Sequence, residues 1–168
     1  VDDGSKDNSF GLINQFIKNF KNSKTNNKIN FQVIKSKKNL GKGSALKLGV
    51  KKAKYDWILT TDVDMSVSLF QICNWIKKKY INKKYFVYFG SRKHEKSIVE
   101  VNFIRQILGS VMNLLTNTIL NIKIKDTQCG YKLYKKSFAK YIFFKLKNLG
   151  FNHDLEIILI LKAKKIEI

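Results

Sequence analysis

The stretch Ile58-Leu59-Thr60-Thr61-Asp62-Val63-Asp64 decides how the rest of the chain is read. Its apolar and β-branched run is that of a buried strand, and it stops at two carboxylates two positions apart. Side chains alternate across a strand, so Asp62 and Asp64 are expected on the same side where the chain leaves the sheet. Two converging carboxylates repel each other unless a cation sits between them. A hard divalent ion, Mg²⁺ or Mn²⁺, suits the position, because it prefers oxygen, accepts one or two carboxylates and completes its shell with phosphate and water. An Asp-x-Asp pair alone also serves to start a loop or cap a helix, so the flanking sequence has to decide.

Upstream lies Asn39-Leu40-Gly41-Lys42-Gly43-Ser44-Ala45, predicted to open a helix with Leu46, Leu48, Val50 and Ala53. Glycines at a helix N-terminus let backbone N–H groups approach a ligand, and the helix dipole favours an anion there. The spacing is neither that of a Walker loop nor that of a dinucleotide fingerprint. Residues 29–34 alternate as a strand. Val1 reads as the end of a buried strand, and Asp2-Asp3-Gly4-Ser5 turns into a helix with Phe10, Ile13, Phe16, Ile17 and Phe20 at helical spacing. Carboxylates at a strand's C-terminal end face the crevice where open α/β sheets bind ligands. Asp3 or Ser5 serves equally well as a plain N-cap.

Downstream, a helix with Leu69, Ile72, Trp75 and Ile76 precedes an apolar strand over 85–89 that ends in Gly90-Ser91-Arg92. Strands alternating with helices at this rhythm imply an α/β fold with a mostly parallel sheet and helices on both faces. Four strand ends then gather Asp2-Asp3, Asn39 to Gly41, Asp62 with Asp64, and Arg92. A helix over about 102–121 has a wide apolar face including Ile107, Val111 and Leu114. Its Arg105 is either solvated or reaches the phosphate of a lipid lying along the helix. Asp126-Thr127-Gln128-Cys129-Gly130 leads into a strand-like Tyr131-Lys132-Leu133-Tyr134. A closing helix from about Asp154 collects Asn152, His153, Asp154 and Glu156 at its N-terminus, where the dipole favours carboxylates whatever their function.

The 168 residues are one domain's worth and read as a single domain over 1–168, cut from a longer protein. With 44% hydrophobic residues the chain is globular. Its 33 basic and 12 acidic residues, net +21, suit a phosphate-handling or lipid-facing protein, with clusters at Lys35 to Lys38 and Lys77 to Lys79. The abundance of Lys, Asn, Ile, Phe and Tyr with no Pro also fits plain compositional drift. Cys73 and Cys129 form neither a disulfide framework nor a zinc motif. No stretch reaches the roughly 18 apolar residues of a membrane-spanning helix.

Taken together, Val1-Asp2-Asp3-Gly4-Ser5, Asn39-x-Gly41-Lys42-Gly43, Asp62-x-Asp64, Gly90-Ser91-Arg92, Asp126-Thr127-Gln128-Cys129-Gly130-Tyr131-Lys132 and Asp154-Leu155-Glu156 resemble the family 2 glycosyltransferases of the GT-A, Rossmann-like fold. The later motifs are most similar to the branch that glucosylates dolichyl phosphate and to its bacterial polyprenyl-phosphate relatives. The family's first strand and its nucleotide-contacting loop would precede Val1.

The resemblance implies inverting transfer of a hexose, glucose from UDP-glucose in that branch, to a polyprenyl phosphate. By the family's pattern Asp2 and Asp3 hold the nucleoside, with Gly41, Lys42 and Gly43 nearby. Asp62 and Asp64 hold Mg²⁺ or Mn²⁺ on the diphosphate. Arg92 faces the donor phosphates, Arg105 and Gln128 the acceptor phosphate, and Asp126 and Asp154 are the catalytic candidates. Ser66 stands where mannosyltransferase relatives often carry a metal-contacting Gln, which leaves donor preference open. The implied partners are a nucleoside diphosphate sugar, a polyprenyl phosphate and a membrane surface, with no nucleic acid. The implied location is a membrane, endoplasmic reticulum or bacterial plasma membrane, with the catalytic domain facing the cytosol. Two other readings stay open: a family 2 transferase acting on a hydroxyl in polysaccharide or glycan synthesis, with Asp154 as a true base, and a non-catalytic basic α/β domain that binds nucleic acid or anionic lipid.

Overall fold

The computed structural model describes residues 1–22, 29–82, 84–91, 111, 113, 114, 116–118, 120–122 and 124–167. Helix α1, Ser9–Asn22, starts where the Asp7 carboxylate accepts the Ser9 amide at 3.0 Å. Its aromatic residues reach the segment after it, with the Phe20 and Phe31 rings edge to face at 5.0 Å. Residues 29–34 form no strand ladder. The run joins the start of the chain only at its end, through a parallel bridge between Asp2 and Lys35, with the Asp2 amide on the Ile34 carbonyl and the Ser36 amide on the Asp2 carbonyl, both at 2.8 Å. Val1 itself is 52% exposed, so the buried position at this end of the chain is Asp2.

Helix α2, Lys42–Lys52, is followed by strand β1, Trp57–Thr60, and helix α3, Gln71–Lys77. Strand β2 is Val87–Phe89 and strand β3 is Lys132–Lys135. Strand β3 passes without a loop into helix α4, Lys136–Lys145, and helix α5 spans His153–Ala163. The sequence reading placed α1, α2, β1, α3, β2, β3 and α5 to within a few residues and assigned nothing to the stretch that forms α4. The helix read over about 102–121 lies outside the described residues up to 110; the described positions from 111 to 120 are helical.

The α/β character stands, with one correction to strand sense. Among the described residues the sheet has the order β1-β3-β2, and β3 runs antiparallel to both neighbours, with Ile58 and Val87 each opposite Tyr134. Strands β1 and β2 therefore run parallel to each other, but not side by side. Apolar periodicity reports burial and is blind to strand direction. An inserted central strand, covered by backbone partners on both edges, has the same apolar signature in either sense. Tyr134, Ile58 and Val87 pack with Val50 of α2, Ala139, Ile142 and Phe143 of α4, Leu146, and Ile157 and Leu161 of α5 into one buried cluster. This core fixes the edge of the sheet where Asp62 leaves β1, Gly130 enters β3 and α5 begins.

Candidate active site

The first motif contains two carboxylates with different partners. Asp2 is 7% exposed; its Oδ1 accepts the Ser5 amide at 2.9 Å, and its Oδ2 is buried without a hydrogen-bond partner among the described residues. The Ser5 hydroxyl and amide, helped by Lys35, hold the Asp2 carboxyl below the usual carboxylate range. Asp3 instead accepts the Leu40 amide on Oδ1 at 3.2 Å and the Gly41 amide on Oδ2 at 2.7 Å. It ties the first motif to the glycine turn and so shapes the loop. Asp3→Ala strips the acceptors from two amides and is expected to lower stability by about 1–3 kcal/mol. Asp3→Asn, keeping one carbonyl oxygen, should lose less in the same thermal-unfolding measurement.

The glycines of the turn are also required by packing. Gly41 has φ +99°, and a Cβ there would lie 2.6 Å from the Leu149 carbonyl oxygen. A Cβ on Gly43 would lie 2.8 Å from the Asn148 carbonyl oxygen and 3.0 Å from the His153 Cβ. The Ser44 amide donates to the Leu149 carbonyl at 3.1 Å. The backbone that comes close to these glycines is residues 148–150, so the missing side chains let α2 abut the start of α5.

Lys42, the residue between the glycines, reaches the other way. Its Nζ lies 2.5 Å from Asp62 Oδ1, with both side chains a little under a third exposed. Asp62 is held close to the later signature: a Cβ on Gly130 would fall 2.3 Å from both Asp62 carboxylate oxygens. Thr60, at the end of β1, donates through Oγ1 toward the Gly130 carbonyl at 3.1 Å and the Lys132 carbonyl at 3.3 Å, pinning the two segments together. Asp64 is exposed and accepts the Ser66 amide at 3.0 Å. Among the described residues no group of three His, Cys, Asp or Glu could form an all-protein metal cage. Asp62 already draws an ammonium to its oxygen, and two carboxylates are the usual protein share for Mg²⁺ or Mn²⁺ carried on phosphates. The donor set thus fits a substrate-borne ion.

Asp154 opens α5 and is 5% exposed. Its Oδ1 lies 2.8 Å from Lys132 Nζ and 3.3 Å from His153 Nε2, while His153 Nδ1 lies 2.8 Å from the Gly150 carbonyl. Lys132 and His153 are each 1% exposed. An ion pair this deep stands or falls as a unit, since removing one partner leaves an uncompensated charge at a cost of about 3–5 kcal/mol. Tyr134 beneath it has its hydroxyl pushed well above the usual range, by burial first and by the Asp154 charge second. Glu156 holds the approach to α5 by accepting the Lys147 amide at 2.9 Å and the Asn148 amide at 2.7 Å.

Asp126 is buried and accepts the Gln128 amide at 3.3 Å, and the Gln128 side chain is exposed. The segment before them is gripped from the helix that carries Asn113 and Asn117. Asn113 Oδ1 accepts the Thr127 amide and hydroxyl at 3.1 and 3.0 Å. Asn117 exchanges hydrogen bonds with the Ile124 backbone at 2.9 and 3.0 Å. Arg92 and Arg105 lie outside the described residues.

The structure thus joins Lys42 to Asp62, packs Asp62 on Gly130, and joins Lys132 to Asp154; Asp3 borders the glycine turn, and Asp2 meets Ser5 and residues 34–36. Sequence reasoning assigned no part to Lys132, Thr60, Asn113 or Asn117. For Lys132 a signal existed, a cation inside the otherwise apolar run Tyr131 to Tyr134. For the asparagines it was their spacing of four on a helix.

The sequence matches the description "Glycosyl transferase family 2" over residues 1–143. It is 31% identical over 173 residues to a dolichyl-phosphate beta-glucosyltransferase of Trichomonas vaginalis, covering 100% of this chain and 50% of the relative. The figures are the same for the dolichyl-phosphate beta-glucosyltransferase of Dictyostelium discoideum. For the human protein of that name identity is 28% over 176 residues, covering 100% of this chain and 52% of the relative. The chain spans about half the length of these relatives. With its motifs in order along the sequence and gathered at one sheet edge, the chain belongs to glycosyl transferase family 2.

Proposed function

We propose that this chain is the catalytic part of an inverting transferase that moves glucose from UDP-glucose to dolichyl or another polyprenyl phosphate. The observation that carries this reading is the seating of Gly130 on Asp62. It brings the donor-phosphate carboxylate against the segment that contains Asp126, Gln128 and Lys132, and Lys132 leads to Asp154. The relatives' printed names supply the acceptor class and the sugar.

The residues divide the work. The buried Oδ2 of Asp2 requires a donor, and the imide N–H of uracil is one. Asp62 and Asp64 would hold Mg²⁺ or Mn²⁺, which as a Lewis acid offsets the negative charge growing on the departing diphosphate. Lys42, at the same oxygen, is the protein's own cation for those phosphates. Inversion requires the acceptor to attack along the line opposite the leaving group, so the chain must hold the two phosphates apart on either face of the sugar. Asp126 and Asp154 line the acceptor side. A phosphate acceptor is already ionised at neutral pH, so Asp154 orients and screens more than it abstracts a proton. No helix among the described residues is long and apolar enough to cross a membrane; on this reading the domain works against the cytosolic face of one.

Full-length protein in membranes, given Mn²⁺, radiolabelled UDP-glucose and a polyprenyl phosphate, is expected to move label into the lipid phase, and GDP-mannose should not substitute. Hydrolysis of UDP-glucose without lipid labelling, or transfer from GDP-mannose alone, overturns the reading.

A further inference from the structure

The signature lysine has a complete set of partners in the interior. Lys132 Nζ lies 2.8 Å from Asp154 Oδ1, 2.5 Å from the Cys129 carbonyl oxygen and 4.9 Å from the centre of the Phe89 ring. An ammonium has three protons, and here a carboxylate, a carbonyl and a π face meet them. The three partners come from three places: the start of α5, the signature segment and the end of β2. At 1% exposure the lysine cannot touch a substrate. What it touches is one oxygen of Asp154. His153 Nε2 leans on that same oxygen from the other side, and among the described residues the second oxygen, Oδ2, has no partner.

We propose that Lys132 is the positioning residue for Asp154 in the transfer reaction: by pinning Oδ1 it leaves Oδ2 as the single oxygen presented to the acceptor side. The inference rests on the glucosyl-transfer reading for its kinetic part, but the pairing itself does not. The ammonium also explains why a carboxylate can be kept this deep, and why the signature ends in a lysine at the first residue of β3. A lysine needed only for stability would move the unfolding midpoint and leave kcat of the folded enzyme unchanged. One acting through Asp154 has nothing to act on once that carboxylate is gone.

The test is a double-substitution cycle in the full-length protein. Lys132→Met, near in length but uncharged, is expected to lower kcat about 10- to 100-fold, the range for partners that orient a functional side chain, with the KM for sugar nucleotide unchanged. In an Asp154→Asn background the same substitution should change kcat by less than about twofold. The unfolding midpoint gives an arm that needs no catalysis: Lys132→Met should lower it by several degrees, and Asp154→Asn added to it should restore much of the loss. If Lys132→Met does not fold but the double variant does, the pair is upheld; if neither folds while Asp154→Asn alone does, it is overturned. Additive losses in both arms overturn the proposal. A wild type that transfers no glucose defeats the glucosyl-transfer reading, and the unfolding arm still decides the pairing.

Discussion

Asp62→Asn is expected to lower glucose transfer by about 10²- to 10³-fold at saturating sugar nucleotide, with the folded protein barely disturbed. On the proposed glucosyl-transfer reading, the loss follows from what the carboxylate would do in the transition state. As the anomeric bond breaks, charge accumulates on the diphosphate, and removing one preorganised group that stabilises such charge typically costs that much in kcat. The small effect on folding follows from exposure. Asp62 pairs with Lys42 at a site a little under a third open to water on each side, where ion pairs are worth about 0–1 kcal/mol. The amide is also nearly isosteric, so it still fits against Gly130. Kinetics with Mn²⁺, set beside thermal unfolding of the same preparation, separate the two effects. A chelator should reproduce the loss in the wild type, and returning Mn²⁺ should reverse it. Transfer that survives in Asp62→Asn removes the carboxylate from the mechanism.

Gly41→Ala is expected to be the most damaging small substitution for folding, by about 2–6 kcal/mol. Its φ of +99° with ψ 164° lies where side chains other than hydrogen are strained by about 1–3 kcal/mol. The added methyl would also stand 2.6 Å from the Leu149 carbonyl and 3.0 Å from the Gly150 Cα, backbone that cannot swing aside as a side chain can. Overpacking of that kind costs a further 1–3 kcal/mol. Activity should fall with stability, because the Gly150 carbonyl is the partner of His153 Nδ1 and a shift there is passed on toward Asp154. Gly49→Ala is the control. In the middle of α2, where the nearest outside atom is a Val1 methyl at 3.3 Å, alanine should be neutral or gain up to about 1 kcal/mol of helix propensity. Equal losses from the two substitutions would refute the steric account.

The pattern of apolar residues was enough to place β1, α2, α3 and α5, because burial of a regular element leaves its period in the sequence. The carboxylates at the ends of elements could be picked out because a charge that interrupts an apolar run has few bland explanations. What remained hidden were relations between segments. That β3 lies antiparallel between β1 and β2 depends on how the chain returns to the sheet. That Asp3 belongs to the amides of Leu40 and Gly41, and that Gly43 faces the backbone before α5, depends on contacts between distant positions. Lys132 was written into the signature and still unassigned, since a lone lysine shows its partner only once α5 is laid beside β3.

The hydrogen bond from the Ser44 amide to the Leu149 carbonyl joins positions more than a hundred residues apart. Contacts of that span close late, because a long loop must be ordered before they give any return, and topologies rich in them fold slowly. During synthesis the ribosome releases Asp62 and Lys42 well before the segment that braces their neighbourhood exists. A nascent or partly opened chain can therefore have β1 and α2 formed and still lack a working centre. Amide exchange at Ser44 should accordingly report assembly of the site more directly than exchange anywhere in the sheet.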